Sequence, residues 1–230
     1  MTTRLAWIAG VAGGIGSACQ RRLTAHGWTV IGSDLPGVDL SSPQSAEAWL
    51  PHALDSRTLD AAVHTIGMSG RRLGDGPVSQ CTDEAWDAVL RVNLTSAFRF
   101  LRLALRNASP GASIVVIGSA LATTLDDDFL TAAYRTSKAA IVPLVQAAAH
   151  EGAARGIRVN VVSPGLVDTA MAARALTDPA ITARLDTLMP LGGTAVTADE
   201  VASAVDWLLS DGSARTTGAV IPVDGGWTLR

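Results

Sequence analysis

The apolar segment Leu5-Ala-Trp-Ile-Ala9 breaks at Gly10 into a turn carrying Gly13, Gly14 and Gly16, and a helical stripe of Ile15, Ala18, Cys19 and Leu23 then runs to Gly27. This strand, glycine turn and helix read as the opening of a βαβ unit. Gly10, Gly14 and Gly16 permit a tight turn and let the backbone come close to a pyrophosphate. Amides at the following helix N-terminus then stabilise the ligand's charge.

The second strand, Thr29-Val-Ile-Gly-Ser33, ends at Asp34. At that distance a carboxylate can accept hydrogen bonds from an adenosine ribose, whereas an ordinary turn with a solvated aspartate is the plain alternative. Asp34 would repel a 2'-phosphate, and neither Gly13 nor Leu35 supplies a compensating cation, so NAD is favoured over NADP. Val38-Asp-Leu40 reads as a short third strand or its remnant, Pro43 starts a helix containing Trp49, and Leu59 to Thr65 reads as a fourth strand. Further strands follow at Ser113–Gly118, Ile157–Val162 and Ala219–Val223, separated by helices that begin at Thr82, at Tyr134 and at Thr197. Strands alternating with helices imply one doubly wound parallel sheet of about seven strands with helices on both faces. With 230 residues, 48% of them hydrophobic, and no Pro- or Ser-rich linker, the chain reads as a single domain.

Tyr134 and Lys138, in Tyr-Arg-Thr-Ser-Lys, are four residues apart and so share one helix face. A free phenol is a poor proton donor or acceptor at neutral pH, and an ammonium beside it favours the phenolate, which makes tyrosine a usable general acid/base. The same spacing also arises on solvated helix faces. Ser119 shifts the balance, because it follows the buried run Ile114-Val-Val-Ile117 and can bring a hydroxyl to a strand end beside the tyrosine. There it can donate to a substrate carbonyl and stabilise a developing alkoxide.

With its Tyr-x-x-x-Lys pair, upstream serine and Gly-x-x-x-Gly-x-Gly turn, nearly the whole chain resembles the short-chain dehydrogenases/reductases. The resemblance implies a Rossmann-like fold and a homodimer or homotetramer. It implies reversible hydride transfer between NAD and a small secondary alcohol or ketone, with Tyr134 as general acid/base. Ser119 would polarise the reacting oxygen, Lys138 would lower the tyrosine's pKa and orient the nicotinamide ribose, and Asn93, in Val92-Asn93-Leu94, would hold a water near the lysine. The implied cofactor contacts are Gly10, Gly13, Gly14, Ile15, Gly16, Asp34, Leu35, Asp39, Leu40, Gly67, Tyr134, Lys138, Pro164, Gly165, Val167 and Thr169. Of these, Asp39 would touch the adenine, and Val167 and Thr169 the carboxamide. An enoyl reductase is disfavoured, since that branch usually separates its tyrosine and lysine more widely.

The sequence also departs from the family. Ala9 stands where threonine is usual, and His64-Thr65-Ile66-Gly67 replaces Asn-Asn-Ala-Gly, retaining only the glycine. His64 reads as a packed, hydrogen-bonded residue; with the other histidines scattered, no metal site or His-based triad is assigned. The altered segment at His64–Gly67, with Pro143 inside the Tyr134 helix, is what would support a catalytically weak NAD-binding sensor or scaffold. A kink or local adjustment is expected at Pro143, a turn beyond Lys138. Arg71 and Arg72 are either surface charges or a fork for a substrate carboxylate or phosphate, and Asp126-Asp-Asp128 would oppose such an anion if it faced inward. The stretch of about 170–190 is either a mobile substrate lid or a fixed helical pair.

A net charge of −3 provides no basic field for nucleic acid or an anionic membrane, and no apolar run reaches membrane-spanning length. The start, Met1-Thr-Thr-Arg-Leu, lacks a leader pattern. Cys19 and Cys81 are the only cysteines, and Cys19 lies on an apolar helix face, which suits a reduced core thiol and a cytoplasmic setting.

Overall fold

The structure is a computed structural model that describes residues 3–229; Met1, Thr2 and Arg230, part of the start and of the single-domain span read above, lie outside them. In chain order the main elements are β1 (Leu5–Ala9), α1 (Gly14–Ala25), β2 (Thr29–Ser33), α2 (Pro43–Leu54), β3 (Leu59–His64), α3 (Asp83–Val89), α4 (Ser96–Asn107), β4 (Ala108–Ile117), α5 (Ala132–Gly152) and β5 (Arg158–Pro164). The short helices α6 (Ala173–Thr177), α7 (Pro179–Thr182) and α8 (Leu185–Leu188) follow, then α9 (Ala198–Leu209) and β6 (Val220–Val223).

The strands form one six-stranded sheet in the order β2-β1-β3-β4-β5-β6, and every neighbouring pair is parallel. The expected third strand at Val38–Leu40 is not a strand, which accounts for six instead of about seven. The Val38 amide donates to the Asp34 carbonyl and the Asp39 amide to the Ser45 hydroxyl. With these two amides spent on local turns, neither is free for a ladder. Val38 and Leu40 are still buried and pack into the core as loop residues.

All five residues of β1 are buried, and their side chains divide by strand periodicity between two cores. Leu5 and Trp7 meet α2, α4 and α5 on one face, through Leu50, Phe100, Ile141 and Val145. Ala6 and Ile8 meet α1 and α9 on the other, through Cys19, Leu23, Val201 and Leu208. Burial pushes the Cys19 thiol up to about 12, so it is an inert core residue; both cysteines are free. Among the described residues no helix is long and apolar enough to cross a membrane.

Two helical features bear on the site. Between α3 and α4 the chain passes through a π-helical turn, Leu90–Thr95, that carries Asn93. The 21-residue α5 runs on through Pro143. The proline removes one hydrogen bond from a helix held by many others and packed along its length. The 170–190 segment is anchored by buried Ala175, Ile181, Leu188 and Met189 and by Arg184, which pairs with Asp126 and Asp128.

Candidate active site

The chain goes from β1 to β2 on one side and then crosses to β3 on the other, so the sheet's switch point lies beyond the carboxyl ends of β1 and β3. A cavity of about 910 Å³ opens there. Its wall includes Gly10, Gly13, Gly14, Ile15, Gly16, Asp34, Leu35, Gly67, Ser119, Tyr134, Lys138, Pro164, Gly165, Val167 and Thr169.

At one end the glycine turn is sterically forced. Gly10 has φ +88°, and a Cβ on Gly16 would sit 2.1 Å from the Gly10 carbonyl oxygen, so neither position accepts a side chain without moving the backbone. No side chain caps the N-terminus of α1, and its first turn holds no acidic residue. Its amides are available to a phosphate. Asp34 accepts from the Ala12 amide at 2.7 Å and the Leu35 amide at 2.8 Å, fixing the carboxylate at the cleft's edge. This donor set fits the ribose and pyrophosphate of a dinucleotide.

Asp39 and Leu40 are not on the cavity wall. Asp39 accepts from the Ser41 amide at 2.7 Å, closing its own turn, and Leu40 is 1% exposed within the core.

The altered segment after β3 has its own bonding. The Thr65 hydroxyl lies 2.9 Å from the carbonyls of both Ala9 and Gly10, tying β3 to the glycine turn. His64 is fully buried. Its Nε2 lies 2.9 Å from Ser96 Oγ, and that hydroxyl donates in turn to the Val92 carbonyl. Nε2 is therefore assigned the proton, and burial, reinforced by the nearby Lys138 charge, pushes the imidazole down to about 3. His64 is a neutral core residue.

Asn93 is fully buried behind the wall. Its amide accepts from the Met68 amide at 2.8 Å and donates to the Met68 carbonyl and Ser137 Oγ, each at 3.0 Å. All these bonds secure the loop after β3 against α5, with none reaching the lysine. A Cβ on Gly67 would lie 3.4 Å from Lys138 Nζ and 3.7 Å from Asn93 Oδ1, so this glycine is where loop, asparagine and lysine converge.

Ser119, Tyr134 and Lys138 meet on the opposite wall. Burial raises the Tyr134 phenol, and the neighbouring Ser119 hydroxyl pulls it partly back. Lys138 donates to the Ile117 carbonyl at 2.9 Å, and burial lowers it to about 8. Its Nζ is 5.9 Å from the Tyr134 ring centroid. At Tyr134 desolvation of the phenolate is the larger effect, and Ser119 supplies an opposing pull.

Sequence reasoning missed Asp75. The N-cap residue of α5, Thr131, provides no side-chain cap. Instead the buried Asp75 carboxylate accepts from the amides of Ala133 at 3.0 Å and Tyr134 at 2.9 Å. It thus caps the helix from a distant loop and fixes the backbone of Tyr134. Its one sequence signal was an acidic residue between Gly74 and Gly76, which reads as an ordinary turn.

A family model described as Enoyl-(Acyl carrier protein) reductase matches residues 35–228. Short-chain dehydrogenase/reductase ABA4 of Pyricularia oryzae is 31% identical over 96% of this chain and 90% of its own. The 3-oxoacyl-(acyl-carrier-protein) reductase FabG of Escherichia coli is 31% identical over 97% of this chain and 96% of its own. Among solved structures, the ligand-free aldohexose dehydrogenase of Thermoplasma acidophilum superposes with a TM-score of 0.86 at 26% identity, covering 99% of this chain and 95% of its own. By family match and fold alike, the chain belongs to the short-chain dehydrogenases/reductases, a family of nicotinamide-dependent oxidoreductases.

Proposed function

We propose that this protein transfers a hydride between NAD and a carbon bearing a secondary hydroxyl or ketone in a small molecule. The observation that carries the reading is the meeting of Ser119, Tyr134 and Lys138 on the same cavity as the uncapped glycine turn. Bound nicotinamide supplies or accepts the hydride. The chain's own residues hold the reacting oxygen and move its proton.

In the reducing direction Tyr134, held as the neutral phenol by burial, donates to the ketone oxygen as it gains charge, while Ser119 donates a second hydrogen bond to it. In the oxidising direction the same phenol must first lose its proton, and Ser119 favours that loss. Lys138, which lines the cavity, would orient the nicotinamide ribose. Asn93 and Asp75 act as positioning residues, one holding the loop at Gly67 and the other the first turn of α5. The family model's description names an enoyl reductase; the four-residue separation of Tyr134 and Lys138 supports alcohol chemistry instead.

The reading takes NAD over NADP because the Asp34 carboxylate, held by the Ala12 and Leu35 amides, would repel a 2'-phosphate. Purified protein mixed with NAD or NADP and a panel of secondary alcohols, sugars and hydroxy acids tests the reading through absorbance of the reduced cofactor. Turnover with NAD, reduced about 10²- to 10⁴-fold by Tyr134→Phe with NAD affinity retained, is expected. NAD binding without turnover across the panel would favour a sensor or scaffold, and strong preference for NADP would overturn the reading of Asp34.

A further inference from the structure

Resting on that reading, we propose that Arg71 and Arg174 form an anion subsite at the substrate end of the cavity, so that the substrate is a secondary alcohol or ketone bearing a carboxylate or phosphate monoester.

Both guanidinium groups reach the same acceptor, the backbone carbonyl of Asp128, Arg71 at 3.0 Å and Arg174 at 3.3 Å. Both also line the cavity that holds Ser119 and Tyr134. Two like charges converging on one neutral oxygen repel each other, and an anion shared between them relieves that repulsion. The half-buried Arg71 forms no salt bridge among the described residues, and Arg174 has only an exposed contact to Asp178 at 3.9 Å. The crowding is visible in Arg71, which is pushed down first by burial and then by Arg174.

Of the three aspartates that opposed this reading in the sequence, Asp127 is exposed and off the cavity wall, and the other two are already engaged. Asp126 pairs with Arg184 at 2.6 Å and Asp128 pairs with the same guanidinium, while Asp126 also caps the Asp128 amide at 3.0 Å. Asp75, whose charge acts on Arg71, holds the amides of Ala133 and Tyr134 with its two oxygens. Among the charged residues on the cavity wall, Arg71, Arg72, Lys138 and Arg174 are cations and only Asp34, at the glycine-turn end, is an anion. A field of one sign in a low-dielectric cleft concentrates the opposite charge.

The test is calorimetric titration of the NAD-loaded protein with three matched ligands: a secondary hydroxy acid, its methyl ester, and the corresponding hydroxyalkyl phosphate. The acid or the phosphate should bind roughly tenfold or more tightly than the ester, the better of the two naming the anion. That advantage should shrink in Arg71→Gln and Arg174→Gln and weaken with added salt. Equal binding of the ester, or an advantage that survives in the double variant, would overturn the subsite. Absorbance of the reduced cofactor is followed in the same samples. Charge-selective binding without turnover would count against the hydride-transfer reading while sustaining the anion subsite.

Discussion

At Tyr134 burial and a hydroxyl pull in opposite directions, and burial wins. The phenol sits above its ordinary value of 10.0, with Ser119 partly restoring its acidity. Reduction, which needs the protonated phenol, is therefore available at neutral pH and is lost as pH rises through the raised pKa. Oxidation gains on the same limb. Ser119→Ala removes the pull toward the phenolate, so the rising limb of kcat/KM for oxidation should move to higher pH, beyond the loss in rate itself; an unmoved limb would show that serine and phenol do not communicate. His64 makes a second prediction, about stability. Its folded pKa of about 3 lies below the ordinary 6.5, so below 6.5 the unfolded chain takes up a proton that the folded chain refuses. Stability is full above that value and falls by about 1.4 kcal/mol per pH unit toward about 3. Urea midpoints at pH 7 and pH 4.5 should therefore separate more in the wild type than in His64→Asn. Equal separations would mean that another group carries the acid limb.

Local pattern made β1, the glycine turn, α1 and β2 legible, because each depends on neighbours in sequence. Elements set by distant contacts were not. Nothing in the periodicity of Val38–Leu40 reveals that the amides of Val38 and Asp39 are already committed to turns. The π-helical turn at Leu90–Thr95 is equally invisible, since Asn93 on it is held by Met68 and Ser137, both far away in sequence. The Asp75 clamp spans 58 and 59 residues to reach the first turn of α5, so it could be found only in three dimensions. Asp75→Ala should cost roughly 1–3 kcal/mol through uncapped, buried amides, lowering Tm by several degrees. Because those amides belong to the turn that carries Tyr134, kcat should fall by more than the folded fraction does, and the oxidation limb should shift in pH. Lost stability with unchanged kcat in the folded fraction would reduce Asp75 to a structural cap.

Across the whole molecule, a parallel sheet that reverses direction between β1 and β3 leaves one crevice, and the chain's chemistry is gathered there. The glycine turn and Asp34, the group Ser119, Tyr134 and Lys138, and the arginines Arg71, Arg72 and Arg174 all line it. This gathering was readable from strand order and motif spacing. Charge placement at the mouth was not, because only the folded chain pairs Asp126 and Asp128 with Arg184 and leaves Arg71 over the cavity. The central claim is that hydride passes directly between substrate carbon and nicotinamide while Tyr134 handles the oxygen's proton. It is tested most directly by supplying NAD and a secondary alcohol deuterated at the carbinol carbon. The account predicts deuterium on C4 of the reduced nicotinamide, with a slowed wild-type rate and almost no transfer in Tyr134→Phe. Deuterium released to water, or transfer undiminished in the phenylalanine variant, would contradict it.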